Sequence, residues 1–186
     1  MEITLIRHGK PAFELKGKVK SRDVCEMIRR YDSSGIAEPP PEQAKQRASV
    51  CKVAVCSDFI RSLESAKALG FSDILLSDPM FREIAVPHFK TGSFAMSANA
   101  WGALLRYMSV FGFSQNGESL SMAKKRAQVA ASALIDIAHV HESVLLVGHG
   151  FINYFLAKEL LSRNWVGPSK PDGGYWECGV YQYHAV

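Results

Sequence analysis

Two histidines of this chain share one setting. His8, in Ile6-Arg7-His8-Gly9, and His149, in Gly148-His149-Gly150, each follow a short apolar run and precede a glycine. A neutral imidazole nitrogen attacks phosphorus to give a covalent intermediate, which splits one hard hydrolysis into two easier steps. Arg7 and Arg61, the latter in Ser57-Asp58-Phe59-Ile60-Arg61, add guanidinium groups whose forked donors match phosphate and stay charged at neutral pH. With two arginines to hold a dianion, His8 is the candidate nucleophile, and His149 the donor that stabilises the transition state. A departing alkoxide needs a proton, and Glu83, in Phe81-Arg82-Glu83-Ile84, is the candidate acid. Ser57 and Gly150 complete the expected substrate contacts, and Gly9 and Gly150 are read as leaving the backbone open to close approach.

These residues must be carried to one place. Residues 3–6, 53–56, 74–76 and 144–147 are nearly all apolar and end in polar or glycine punctuation, the pattern of strands buried on both faces. Helical spacing lies between them. One helix follows Gly117-Glu118-Ser119, with Leu120, Ala123, Ala127, Ala130, Ala131, Leu134 and Ala138 on one side, and another follows Gly150. Val24, Met27, Ile28 and Tyr31 mark a short helix, and Pro39-Pro40-Pro41 leads into a further one. Trp101, Leu104, Leu105 and Met108 form a helical stripe read as core packing, and the alternating tail 179–186 reads as an antiparallel edge strand. The expected fold is α/β, a three-layer sandwich with a largely parallel central sheet and helices on both faces, in a single domain over residues 1–186. Ligands of such sheets bind outside the carboxyl ends of the strands. Arg7-His8-Gly9, Ser57 to Arg61 and Gly148-His149-Gly150 therefore converge on one crevice.

Composition narrows the partners. The 186 residues are 47% hydrophobic with a formal net charge of +4, an ordinary globular balance. No apolar run approaches the ~20 residues that span a bilayer, and no signal segment opens the chain, so the expectation is a cytoplasmic protein without membrane contact. The basic residues are scattered (Lys16, Lys18, Lys20 and Arg22; Lys124, Lys125 and Arg126) rather than gathered beside stacking aromatics. That speaks against nucleic acid and for a small phosphorylated substrate. Cys25, Cys51, Cys56 and Cys178 show neither CxxC nor zinc-ligand spacing, so reduced thiols are expected, with no metal and no cofactor.

LIRHG near the start, CSDFIRSLESA in the middle and VLLVGHG late resemble the histidine phosphatase superfamily, the phosphoglycerate mutase-like fold. The order of these motifs with Glu83 is more specific than RHG alone. The resemblance implies that His8 is phosphorylated, that Arg7, Arg61 and His149 form the phosphate pocket, and that Glu83 holds the proton-donor position. Gly117-Glu118-Ser119-Leu120 is similar to the family's start of the long helix, where Glu118 is expected to cap rather than react. One departure stands out. The family often has an Asn a few residues after RHG that touches phosphate. Here Lys10-Pro11-Ala12-Phe13-Glu14 follows, so Glu14 must point away or be offset by Lys10.

Three other readings compete. Cys56 and Arg61 resemble a cysteine-phosphatase loop, but four residues separate them where that loop needs five, and a thiol at the end of an apolar strand is inert. A mutase would pass the phosphoryl group to a bound sugar acid instead of water; the short chain favours a phosphatase. A non-catalytic phosphate-binding module is disfavoured because both histidines, both arginines and a candidate acid occur together. Segments 10–45 and 88–116 are expected to wall the pocket, with His88 a possible rim residue.

Overall fold

The first strand, β1 (Glu2–Arg7), sets the plan of the computed structural model, which describes residues 1–14 and 16–184. After it come β2 (Lys18–Lys20), α1 (Val24–Asp32), α2 (Glu42–Ser49), β3 (Val53–Cys56), α3 (Ile60–Ala68) and β4 (Leu76–Ser77). The second half holds β5 (Ala95–Ser97), α4 (Ala98–Val110), α5 (Leu120–His141), β6 (Ser143–Gly148), α6 (Gly150–Ser162) and β7 (Cys178–Gln182).

Five strands pair in the order β4-β3-β6-β1-β7. β1 and β3 run parallel to β6, with Arg7 opposite Gly148 and Cys56 opposite Val147. This register ends three strands almost level, so the residues that follow them, His8, Ser57 and His149, emerge side by side. Alternation divides the apolar side chains between two faces. Ile3, Leu5, Val55, Val144 and Leu146 meet α5 and α6, through Ala127, Ala130, Leu134, Ile152 and Leu156. Ile6, Ala54, Cys56, Leu145 and Val147 meet α2 and α3, through Ala44, Ala48 and Ala66, and Leu69 just beyond α3. Each buried Leu or Ile contributes roughly 1.5–3 kcal/mol, and the alanines let the helix backbones lie close. The expected three-layer α/β sandwich is what the chain forms.

Two expectations shift in detail. Residues 74–76 shrink to β4, which pairs only through Val55 with Leu76 and Cys56 with Ser77; Asp78 and Pro79 then turn the chain away. The tail is an antiparallel edge strand on β1 as expected, but over residues 178–182, and residues 185–186 lie outside the described ones.

A second, smaller unit was not anticipated. β2 and β5 pair antiparallel, three residues each, and with α1 and α4 enclose Val19, Val24, Met27, Trp101 and Leu105. The Trp101 indole N–H donates to the Val19 carbonyl at 2.8 Å. The stripe read from α4 is therefore core packing, but of this cap, while Leu104 faces outward.

Candidate active site

The end of β1 delivers His8 in a defined tautomer. Its Nδ1 lies 2.7 Å from the Gly9 carbonyl. A carbonyl only accepts, so Nδ1 carries the proton and Nε2 keeps its lone pair. Arg61 Nε–H donates to that Nε2 at 3.3 Å. The imidazole is 2% exposed. Burial, followed by the charge of Arg61, lowers its pKa to about 3, against the opposing pull of the Gly9 bond, and Arg7 adds to the lowering. The ring is neutral at physiological pH. Gly9, by contrast, is not open to a ligand: a side chain there would run into the Trp176 indole. Its glycine serves packing.

His149 stands against His8, ring centroids 4.7 Å apart and edge to face. Its Nε2 is 2.7 Å from Ser57 Oγ, which in turn is 2.9 Å from Ser62 Oγ. The Ser57 hydroxyl is thus turned to His149 and Ser62, both in the buried floor. Burial, then the neighbouring His8 and Arg61, holds the His149 pKa well below the ordinary histidine value. Among buried polar atoms without a partner in the described residues are His149 Nδ1 and Arg7 Nε. Buried donors and acceptors normally find partners, and these two atoms stay free for a hydrogen bond. A Cβ at Gly150 would meet only Glu83 Oε2 at 3.8 Å and Arg7 Nε at 4.0 Å.

Arg61, in the first turn of α3, is 1% exposed. Its Nη1 donates to the Tyr31 and Asp32 carbonyls at 3.2 and 3.3 Å, and its Nη2 pairs with Asp32 Oδ1 at 3.2 Å. The C-terminal carbonyls of α1 suit a cation. The guanidinium lies between the rings of Phe59 (4.4 Å) and Tyr31 (4.7 Å). Burial raises the Asp32 pKa while Arg61 pulls it down. Arg7 lies over the Tyr175 ring at 4.2 Å and donates to the Gly173 carbonyl. None of Tyr31, Asp32, Phe59, Ser62 and Tyr175 was expected from the sequence.

Glu83 reaches the site from the loop after β4. Its carboxylate accepts from the Phe151 amide at 3.1 and 3.2 Å and the Ile152 amide at 3.2 Å, at the positive end of α6. Arg126 holds the approach to it, donating to the Met80 and Arg82 carbonyls at 2.7 and 2.8 Å. The other edge of Arg126 is forked onto Glu118 at 2.9 and 2.7 Å. Glu118 accordingly does not cap α5; Ser119 does, accepting from the Met122 amide at 3.2 Å. Arg82 is forked onto Asp58, both distances 2.6 Å.

The remaining candidates fall outside this constellation. Glu14 and Lys10 are exposed, so Glu14 is free to point away from phosphate. The backbone of His88 is fastened to Gln115 and Asn116. Burial pushes the Cys56 thiol up to about 11, which leaves it protonated and unreactive. Among the described residues, no group of three or more His, Cys, Asp or Glu side chains is placed to hold a metal ion.

The family model described as histidine phosphatase superfamily (branch 1) matches residues 3–172. Among solved structures, an open reading frame of Mycobacterium tuberculosis superposes with a TM-score of 0.62 at 16% identity, over 98% of this chain and 91% of its own. YhfR of Bacillus stearothermophilus gives 0.60 at 18% identity, over 96% and 89%. A mycobacterial glucosyl-3-phosphoglycerate phosphatase gives 0.55 at 20% identity, over 87% and 79%. At these identities the likeness is one of fold. No curated protein matches the sequence.

Proposed function

The chain belongs to the histidine phosphatase superfamily, and on that premise we propose that it hydrolyses phosphomonoesters through a phosphohistidine on His8. The observation that carries this is the His8 tautomer: a proton fixed on Nδ1 by Gly9 and a lone pair on a neutral Nε2. The phosphoryl dianion sits between Arg7 and Arg61. His8 Nε2 attacks phosphorus, the P–O bond to the alcohol breaks, and Glu83 protonates the departing oxygen. Water then attacks the phosphohistidine, Glu83 takes its proton, and the P–N bond breaks with its electron pair returning to Nε2. As phosphorus arrives, the hydrogen bond from Arg61 Nε–H passes from His8 Nε2 to a phosphoryl oxygen, and the guanidinium keeps its proton.

In this reading His149 donates from Nδ1 to a phosphoryl oxygen. When the phosphoryl group arrives, Ser57 turns its hydroxyl hydrogen from Ser62 Oγ to His149 Nε2, which leaves the imidazole proton on Nδ1. Ser57 is then a positioning residue rather than a phosphate contact. Arg7 and Arg61 supply the positive charge, so turnover needs no metal. Structural neighbours named as a glucosyl-3-phosphoglycerate phosphatase and a putative α-ribazole-5′-P phosphatase of Escherichia coli support water as the acceptor over a second sugar acid. Among the described residues no helix is long and apolar enough to cross a membrane.

Mixing the protein with substrate and quenching in base should trap an acid-labile phosphate on the peptide containing His8. Label on His149 or Cys56, or none despite turnover, overturns the assignment.

A further inference from the structure

One short segment between α6 and β7 closes on Arg7 from several sides. The Trp176 amide donates to the Arg7 carbonyl and the Arg7 amide to the Glu177 carbonyl, both at 3.0 Å. The same segment holds the side chain: Arg7 Nη1 donates to the Gly173 carbonyl, and the Tyr175 ring lies against the guanidinium at 4.2 Å. Trp176 itself sits at φ 65°, in the left-handed region that a bulky side chain seldom enters. Strain of that kind persists where surrounding contacts enforce it. Here two adjacent rings cover the two positions that flank His8, Tyr175 on Arg7 and Trp176 on Gly9. The Tyr175 and His8 ring centroids are 5.8 Å apart.

Arg61 and Arg7 are held on different terms. Arg61 shares its charge with the Asp32 carboxylate. Arg7 has a carbonyl and a ring as partners and forms no ion pair among the described residues, so its charge stays whole for a ligand. With Nη1 occupied, the edge left over is Nε with Nη2, and Nε is buried without a partner among the described residues. By that same edge Arg82 forks onto Asp58 and Arg126 onto Glu118. Forked N–H donors suit two oxygens of a phosphoryl group equally well.

We infer that Tyr175 is a positioning residue for the phosphoryl site: with the Gly173 carbonyl it fixes Arg7 so that the Nε–Nη2 edge, its charge unneutralised, is offered to phosphate. The inference rests on the phosphatase reading, which places the dianion beside Arg7. A ring on the flat face of the guanidinium attracts it without bringing a counter-charge. A carboxylate in that place would hold the arginine but compete with the substrate for it.

The test uses kcat/KM for p-nitrophenyl phosphate, whose leaving group needs no proton, so that the grip on the phosphoryl group is what is read. Tyr175→Leu keeps apolar bulk and removes the ring, and should lower kcat/KM by about tenfold. Tyr175→Phe should stay within about twofold of the wild type. In an Arg7→Ala background there is no guanidinium left to position, so the tenfold step of Tyr175→Leu should vanish; a merely structural residue would lose the same factor in both backgrounds. An unchanged rate in Tyr175→Leu overturns the inference, and so does a full tenfold step without Arg7. A measurement on the wild type needs no variant to fold: with nitrogen-labelled arginine, the Arg7 Nε–H resonance should move when vanadate is added, and a resonance that stays put overturns the inference too. If phosphate is still trapped on His8 when these outcomes fail, only the role of Tyr175 falls. If the wild type neither turns over the ester nor traps phosphate, the phosphatase reading fails and the inference falls with it.

Discussion

The floor and the cap of this molecule are built on opposite terms. The floor is the level edge of β1, β3 and β6, where each strand is buried on both faces and followed by a functional side chain. The cap is two three-residue strands and two helices around Trp101, and it leaves Phe94 66% and Phe111 71% exposed. The floor supplies His8, Ser57, Arg61 and His149. The cap supplies Tyr31 and Asp32, which grip Arg61. A rigid surface thus carries the groups common to any phosphoryl transfer, and a lightly built one carries those that can differ with the substrate.

The largest effect should come from the floor. His8→Gln is expected to lower single-turnover rates by roughly 10⁴-fold or more while the thermal melt stays cooperative. Residual turnover within tenfold of the wild type would mean that another group attacks phosphorus. Glu83 lies where floor meets cap. Glu83→Gln should slow phosphorylation by an alkyl phosphomonoester by about 10²–10⁴-fold, but by much less with p-nitrophenyl phosphate, whose leaving group needs no proton. Equal losses on both substrates would demote Glu83 to an anchor for α6.

Asp32 tests the seam itself. Removing one partner of a largely buried ion pair commonly costs a few kcal/mol. In Asp32→Ala, amide exchange in residues 18–32 and 95–110 should therefore accelerate, by at least about tenfold, with β1 and β6 unchanged. Uniform acceleration would show that cap and floor open as one unit. The smallest effect is with pH. In the folded protein the His8 pKa is lowered to about 3 and that of His149 also falls below the ordinary 6.5. The unfolded chain therefore binds more protons between those values. The stability these neutral rings confer is complete above about pH 6.5 and is lost as pH falls towards 3, with a slope of up to about 1.4 kcal/mol per pH unit for each proton. Urea midpoints at pH 7.5 and 5 should show the fall, and His8→Gln should flatten it; an unchanged slope in the variant would remove His8 as a source.

The same division explains what the sequence disclosed. The floor was legible because a fully buried parallel strand needs an unbroken apolar run, and the residue after it emerges at the ligand edge whatever the distance along the chain. His8, Arg61 and His149 followed from that rule. The cap was not legible: strands of three residues, such as 18–20 and 95–97, are too short to show alternation. Its stripe at Trp101 and Leu105 could be recognised as core, but not as the core of a separate layer. Tyr31 and Asp32 act on Arg61 through the end of α1, and no sequence spacing links position 32 to position 61. Glu118 misled for a local reason. It sits beside a true cap, Ser119, but its carboxylate reaches Arg126, two helical turns on, and through it the backbone before Glu83. The packing role of Gly9 was hidden because its partner, Trp176, lies at the far end of the sequence.

That last contact has a consequence in time. The Trp176 amide donates to the Arg7 carbonyl, the Arg7 amide to the Glu177 carbonyl, and the Trp176 indole fills the space beside Gly9. The loop that aims His8 is therefore backed by residues that leave the ribosome long after it does. During synthesis, β1 can meet β6 only when most of the chain has been made, and His8 gains its backing later still, when β7 adds to the open edge of β1. A nascent chain would carry His8 well before Trp176 and β7 are made, yet leave that imidazole without its backing until the edge is closed.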